Sequence, residues 1–203
     1  ALGLVLTAPS LLTAGDAEQA DPLEAFLDKV ERHAFAYFWE KANPNNGLVW
    51  NTTEPFTSAS ITATGVAVSV IPIGVERGWI SRANGYQRTL LTLKTIAQRL
   101  EQVHGFVYHY LDFHTGVRTR DSEISCIDMA IAVAGILTAG EYFKDTEVEQ
   151  LATAIYERID WSWFLDGEDA LQRSWKPEVG FEGGPMPFSE SILAYLLALG
   201  SAP

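Results

Sequence analysis

The stretch DSEISCIDMAIAVAGIL (residues 121–137) decides how the rest of the chain is read. From Ile124 to Leu137 it is apolar or small on every side, the composition of a helix covered all round, yet Asp128 lies within it and Glu123 stands at its start. A carboxylate among apolar neighbours is costly unless hydrogen bonds or a partner hold it. Asp128 is therefore either a structural tie or an acid that faces a cavity.

Two further stretches have the same character: SASITATGVAVSVIPIGVERGW (residues 58–79), without a charge from Ser58 to Val75, and the short SESILAYLLALG (residues 189–200). Each follows a segment of amphipathic periodicity. Leu23, Phe26, Leu27, Val30, Ala34, Tyr37 and Phe38 recur at three-and-four spacing, opposite Asp28, Glu31 and Arg32. Leu90, Leu93, Ile96, Ala97 and Leu100 do so within residues 81–103, and Val148, Leu151, Ala152, Ile155 and Ile159 in a helix starting near Asp145 and Thr146. Outer and inner helices thus alternate three times, at a period of roughly sixty residues. The expected fold is all-α, an α/α array with inner helices about an axis and outer helices covering them.

The connections carry the aromatic residues. Residues 106–120, FVYHYLDFHTGVRTR, alternate and then turn at His114-Thr115-Gly116, which predicts a small β-hairpin. Residues 160–188 hold Trp161, Trp163, Trp175, Phe181 and Phe188, rings of a kind that stack on sugars and, as often, simply pack.

Composition narrows the function. The 203 residues are 47% hydrophobic, enough for a core of one domain. A net charge of −12, from 26 acids against 14 bases with no basic run, disfavours nucleic acid and anionic lipid as partners. The single cysteine, Cys126, excludes an intrachain disulfide or a Cys-rich zinc site. Residues 1–20 form a separate leader whose apolar run, broken by Pro9, is too short to cross a bilayer and ends in small residues. An export signal is expected there, placing the mature body, residues 21–203, in the periplasm or outside; a disordered leader or a packed linker is the alternative.

Six blocks, VERGWISR, FVYHYLDFHTGVR, SEISCIDMAIAVAGILTAGEYF, RIDWSWFLDG, WKPEVGF and FSESILAYLLALGS, resemble in order the signature blocks of the bacterial glucoamylase-like family. That family includes endo-β-1,2-glucanases and the glucoamylase-like domain of cyclic β-1,2-glucan synthases. The resemblance runs from about Ala34 to Pro203. It implies an (α/α)6 toroid with a glycan cleft at one end of the ring, and glucan hydrolysis by carboxylate acid/base chemistry without metal or organic cofactor. Three helix pairs are present of the six that a closed toroid takes. The remaining half, or a second chain, is then expected to complete the cleft and to supply one of two catalytic carboxylates; a non-catalytic, carbohydrate-binding half-toroid is the alternative.

The resemblance places Glu190, in FSESILAYLLALGS, as the general acid, at a helix start that Ser189 could cap; a first-turn glutamate favoured by the helix dipole is the plain alternative. Glu123 and Asp128 fall in the family's E-x-S-x-x-D block, which gives them a ligand-facing role; the alternatives are a structural tie for Asp128 and a favourable charge at a helix N-terminus for Glu123. Asp121 is a cap or a cleft acid. Tyr108 and His109 point to opposite faces of a strand, so at most one of them meets a ligand. Trp175, Lys176 and Phe181 complete the candidate glucan-binding set. His104, His109 and His114 recur every fifth residue, which suits neither a helical nor a strand metal site, so no metal is expected. Arg118 and Arg120 bind substrate hydroxyls or pair with Asp121 and Glu123.

Overall fold

A computed structural model describes residues 21–54, 58–119, 121–189 and 191–201. The chain divides into two compact units, Ala1–His33 and Ala34–Pro203. Helix α1 (Pro22–Glu40) begins in the first and ends in the second. In the first unit it leaves Leu23, Phe26, Leu27 and Val30 exposed. In the second, Phe35 is its one buried side chain, stacked on Trp39, tilted against Trp79 and lying on Gly74. The spacing expected burial along the whole Leu23 to Phe38 stripe; only its C-terminal turns are covered.

The second unit is mostly helical, with small sheets. Strand β1 (Ala59–Ser60) runs into α2 (Ile61–Glu76), and α3 (Arg82–Gln98) follows. Next come β2 (Gln102–Val103), β3 (Phe106–Val107), β4 (Tyr110–Leu111) and β5 (Ile124–Ser125), the last running into α4 (Cys126–Tyr142). Helix α5 (Glu147–Glu157), a 3-10 turn (Trp161–Leu165), β6 (Gln172–Lys176), β7 (Gly180–Pro185) and α6 (Ile192–Gly200) complete it. The side-chain oxygens of Ser60, Ser81, Ser125 and Thr146 accept from backbone N–H groups in the first turns of α2, α3, α4 and α5. Ser189 does not cap α6: Ser191 is its N-cap and makes no side-chain cap bond, its hydroxyl donating instead to the Pro187 carbonyl.

Helix α4 packs on α2, α5 and α6, while α3 packs on α2 and α5. The α2–α4 crossing brings two backbones almost into contact. A Cβ on Gly65 would lie 2.3 Å from the Ala132 Cα, and one on Gly135 would lie 2.1 Å from the Gly65 carbonyl oxygen. Small residues in both stretches are what allow it. Neither helix is covered all round, however: Thr62, Val66, Ser69 and Ile73 form one partly or fully exposed stripe, and Ile127, Ile131, Ala134 and Thr138 another. Of the three inner helices α6 is the least covered, with Ala194 its one buried side chain and Leu196 and Leu199 60% and 84% exposed.

The strands differ most from expectation. The hairpin expected over residues 106–120 exists from Tyr110 to Thr119, where Leu111 bridges Arg118 and the Asp112 carboxylate accepts from the backbone of His114 and Thr115. Phe106–Val107 instead pairs backward with Gln102–Val103 across His104-Gly105, both at positive φ, as a two-residue hairpin turn requires. The connection at residues 160–188 contains two strands, and β5, β6 and β7 form an antiparallel sheet with Ile124 opposite Trp175 and Trp175 opposite Phe181. The class is therefore helical with small sheets rather than helical with one hairpin. Among the described residues no helix is long and apolar enough to cross a membrane.

Candidate functional site

Two strand-to-helix junctions build the site. Ser60 ends β1 and caps α2; Ser125 ends β5 and caps α4. Strand β4 bonds to β1, and the residue before it joins both junctions: the Ile61 N–H donates to the His109 carbonyl at 3.0 Å, and the His109 N–H donates to the Glu123 carbonyl at 2.8 Å. The side chains of Thr62, His109, Glu123, Ser125 and Asp128 converge there.

Asp128 is not buried in the middle of its helix. Because α4 begins at Cys126, Asp128 sits in the first turn, where a carboxylate suits the helix dipole, and its side chain is 21% exposed. Its Oδ1 accepts from Thr62 Oγ1 at 2.7 Å, and its Oδ2 accepts from the Ser125 hydroxyl. His109 lies between the acids, Nδ1 2.9 Å from Glu123 Oε1 and Nε2 3.4 Å from Asp128 Oδ1, its ring stacked on Tyr110 at 3.8 Å. The hydrogen bond from His109 is the main reason the Glu123 carboxyl is held below the ordinary glutamate value; burial opposes it, and the Lys176 charge adds a little. Burial, with the charges of Glu123 and Asp128, pushes the Tyr110 phenol up.

This cluster stands between two open clefts. One, of about 680 Å³, is lined by Tyr37, Asn51, Thr62, His109, Tyr110 and Asp128. The other, of about 310 Å³, is lined by Glu123, Ser125, Arg173, Met186, Ser189 and Ser191. Both offer hydroxyl and carboxylate groups beside apolar surface, with an amide from Asn51 in the larger and the Arg173 guanidinium in the smaller, the mixture that polyhydroxylated ligands require.

Of the candidate residues, the structure brings Glu123 and Asp128 together. Lys176 is close, its Nζ 3.3 Å from Glu182. Tyr108 is buried beneath the Arg118 guanidinium, 4.8 Å from its ring, so of the strand pair it is His109 that reaches a cleft. Arg118 makes two bonds to Glu178, at 2.6 and 2.9 Å, in place of the expected pairing with Asp121 or Glu123. Asp121 is exposed on the surface. Trp175 and Phe181 are half-buried against Trp163, in an aromatic cluster with Phe106 and Phe164, and line neither of these two clefts. Glu190 and Arg120 lie outside the described residues. Sequence reasoning put Tyr108 rather than His109 in the candidate set and did not single out Thr62 or Arg173; the available signal was His109 in a strand pattern upstream of the acid-bearing block. Among the described residues no group of three or more His, Cys, Asp or Glu is placed to hold a metal ion.

No family model matches the chain. It is 28% identical over 191 residues to the exo-β-1,2-glucooligosaccharide sophorohydrolase (non-reducing end) of Parabacteroides distasonis, covering 87% of this chain and 26% of that protein. A β-1,2-glucanase structure from the same species superposes with a TM-score of 0.77 at 26% identity, over 87% of this chain and 27% of the other. The chain is similar to bacterial β-1,2-glucan hydrolases in sequence and in fold. The endo-β-1,2-glucanase of Chitinophaga pinensis, solved with sophorotriose and glucose, shares the fold at a TM-score of 0.79 and 23% identity, over 90% of this chain and 48% of its own. The resemblance read from the six sequence blocks is thereby borne out, over at most about half of these relatives' length.

Proposed function

We propose that the chain forms one half of an (α/α)6 glycoside hydrolase domain that acts on β-linked glucan, with β-1,2-linked gluco-oligosaccharides as its substrate class. The observation that carries this reading is the acid cluster of Glu123, His109 and Asp128 on the shared wall of two open clefts. The similarity to β-1,2-glucan hydrolases supports it.

Glycoside hydrolysis needs a proton donor and a second carboxylate flanking the scissile bond. Glu190 is assigned as the donor on the resemblance of FSESILAYLLALGS to the family block that carries an acid at this place. A donor working near neutral pH needs its carboxyl raised by desolvation. Glu123 and Asp128 are assigned to substrate hydroxyls, with Arg173 beside them. The second catalytic carboxylate is assigned to the other half of the ring, from a longer product of the gene or a second chain. Residues 1–20 would direct export to the periplasm or beyond.

The test is calorimetric titration of the chain with sophorotriose, cellotriose and maltotriose, and reducing-sugar release from β-1,2-glucan by the full gene product. Glu190→Gln should cut turnover about a hundredfold or more and leave binding nearly unchanged. Wild-type turnover in that variant, on a substrate whose leaving group needs protonation, would remove Glu190 from the role. The partial coverage of the relatives favours one second reading, a carbohydrate-binding half-toroid without chemistry of its own; sophorotriose binding with no hydrolysis by the full gene product would establish it.

A further inference from the structure

His109 is the residue through which the two junctions meet. Its N–H is committed to the Glu123 carbonyl and its carbonyl oxygen to the Ile61 N–H, so the ring is placed by main chain from both sides. Its side chain is 14% exposed and lies against Tyr110. A neutral imidazole carries one N–H. Donated from Nδ1 to Glu123 at 2.9 Å, it leaves the Nε2 lone pair facing Asp128 Oδ1, an oxygen that already accepts from Thr62. Two lone pairs then oppose each other, and that contact is the longer one, 3.4 Å. A proton between them, on Nε2 or on Oδ1, turns it into a hydrogen bond.

We propose that His109 is a positioning residue for the glycan chemistry proposed above, on which this inference rests: its Nδ1–H aims Glu123, and its Nε2–Asp128 contact is a proton-loading position that draws the two cleft walls together. The proton is taken from solvent and returned to it, and no covalent bond between heavy atoms changes. The titratable groups facing the ring are Glu123, Asp128 and Tyr110; Lys176 acts on Glu123, and Tyr37 and Arg173 stand further out along the two clefts.

The experiment uses ring ¹⁵N spectra of the chain, with His109 identified by its loss in His109→Asn, and sophorotriose titrations across pH. The expected neutral ring is protonated at Nδ1, and Glu123→Gln weakens that preference. Sophorotriose affinity should differ roughly tenfold between the neutral and the protonated ring, the size of one charge-assisted hydrogen bond. His109→Asn, whose amide can still reach Glu123, should flatten the pH dependence and lower affinity less than His109→Gln, which reaches toward Asp128 instead. A neutral ring protonated at Nε2, or equal pH slopes in wild type and His109→Asn, overturns the proposal. If both His109 variants fail to melt cooperatively, the ring spectra of wild type and Glu123→Gln decide it. Failure of every variant to bind sophorotriose would overturn the glycan reading, while the ring tautomer would still decide whether His109 aims Glu123.

Discussion

Asp128 does two jobs that one substitution can separate. It accepts from Thr62 and Ser125 and so ties α2 to α4, and it also faces the larger cleft. Asp128→Asn keeps an acceptor for Thr62 and an amide that can meet Ser125, so its stability cost should be about 1 kcal/mol. Sophorotriose affinity should fall about tenfold, the loss of one charge-assisted bond to a sugar hydroxyl. A sharp drop in melting temperature with unchanged affinity of the folded fraction would make Asp128 a tie alone. Glu123 carries a pH signature. Its folded carboxyl titrates below the ordinary value of 4.5, so it stabilises the fold above 4.5, and that stabilisation is lost as pH falls from there through the lowered folded value. Urea melts of Glu123→Gln should therefore show a shallower acid limb below pH 4.5 than wild type; superposed limbs would mean that the His109 bond does not form in solution.

At the level of helices and strands, the residues that were easy to read are those whose partners lie nearby in sequence. Three-and-four spacing marked the outer helices, the last of them starting near Thr146, and the uncharged, small-residue composition marked α2 and α4 as inner ones. The strands were harder because five of the seven described are two residues long, leaving too little alternation to read, and because β1–β4 and β5–β6 pair across long stretches of chain. The same holds for the acid cluster: E-x-S-x-x-D named Glu123 and Asp128, but nothing local said that His109 would stand between them. Glycine substitutions test the crossing directly. Gly135→Ala should cost about 3 kcal/mol or more, since its methyl would meet the Gly65 carbonyl and neither backbone can withdraw alone. Gly78 is the control: it has φ +68 but open space around a Cβ, so Gly78→Ala should cost only about 1 kcal/mol of backbone strain. Equal losses would mean that the helices sit further apart than described.

For the whole molecule, the feature with the widest reach is the uncovered side of α6. Phe188, Ile192, Leu196 and Leu199 are all exposed, large apolar side chains close together in the chain, the kind of surface that partners cover. Replacing Leu196 and Leu199 with lysine should move the chain toward monomer in sedimentation velocity at micromolar concentration; a wild-type chain already monomeric there, with no dye binding to the patch, would show that the face needs no cover. The α2–α4 crossing has a consequence in time rather than in space. Thr62 and Asp128, which meet beside it, are 66 positions apart in the chain, and β5 must still find β6. Closing loops of that length costs chain entropy before any contact repays it, which slows the step that makes them. Local helices are thus formed before the clefts are. In stopped-flow refolding, far-ultraviolet dichroism should recover in an early phase, and the capacity to bind sugar only in the last.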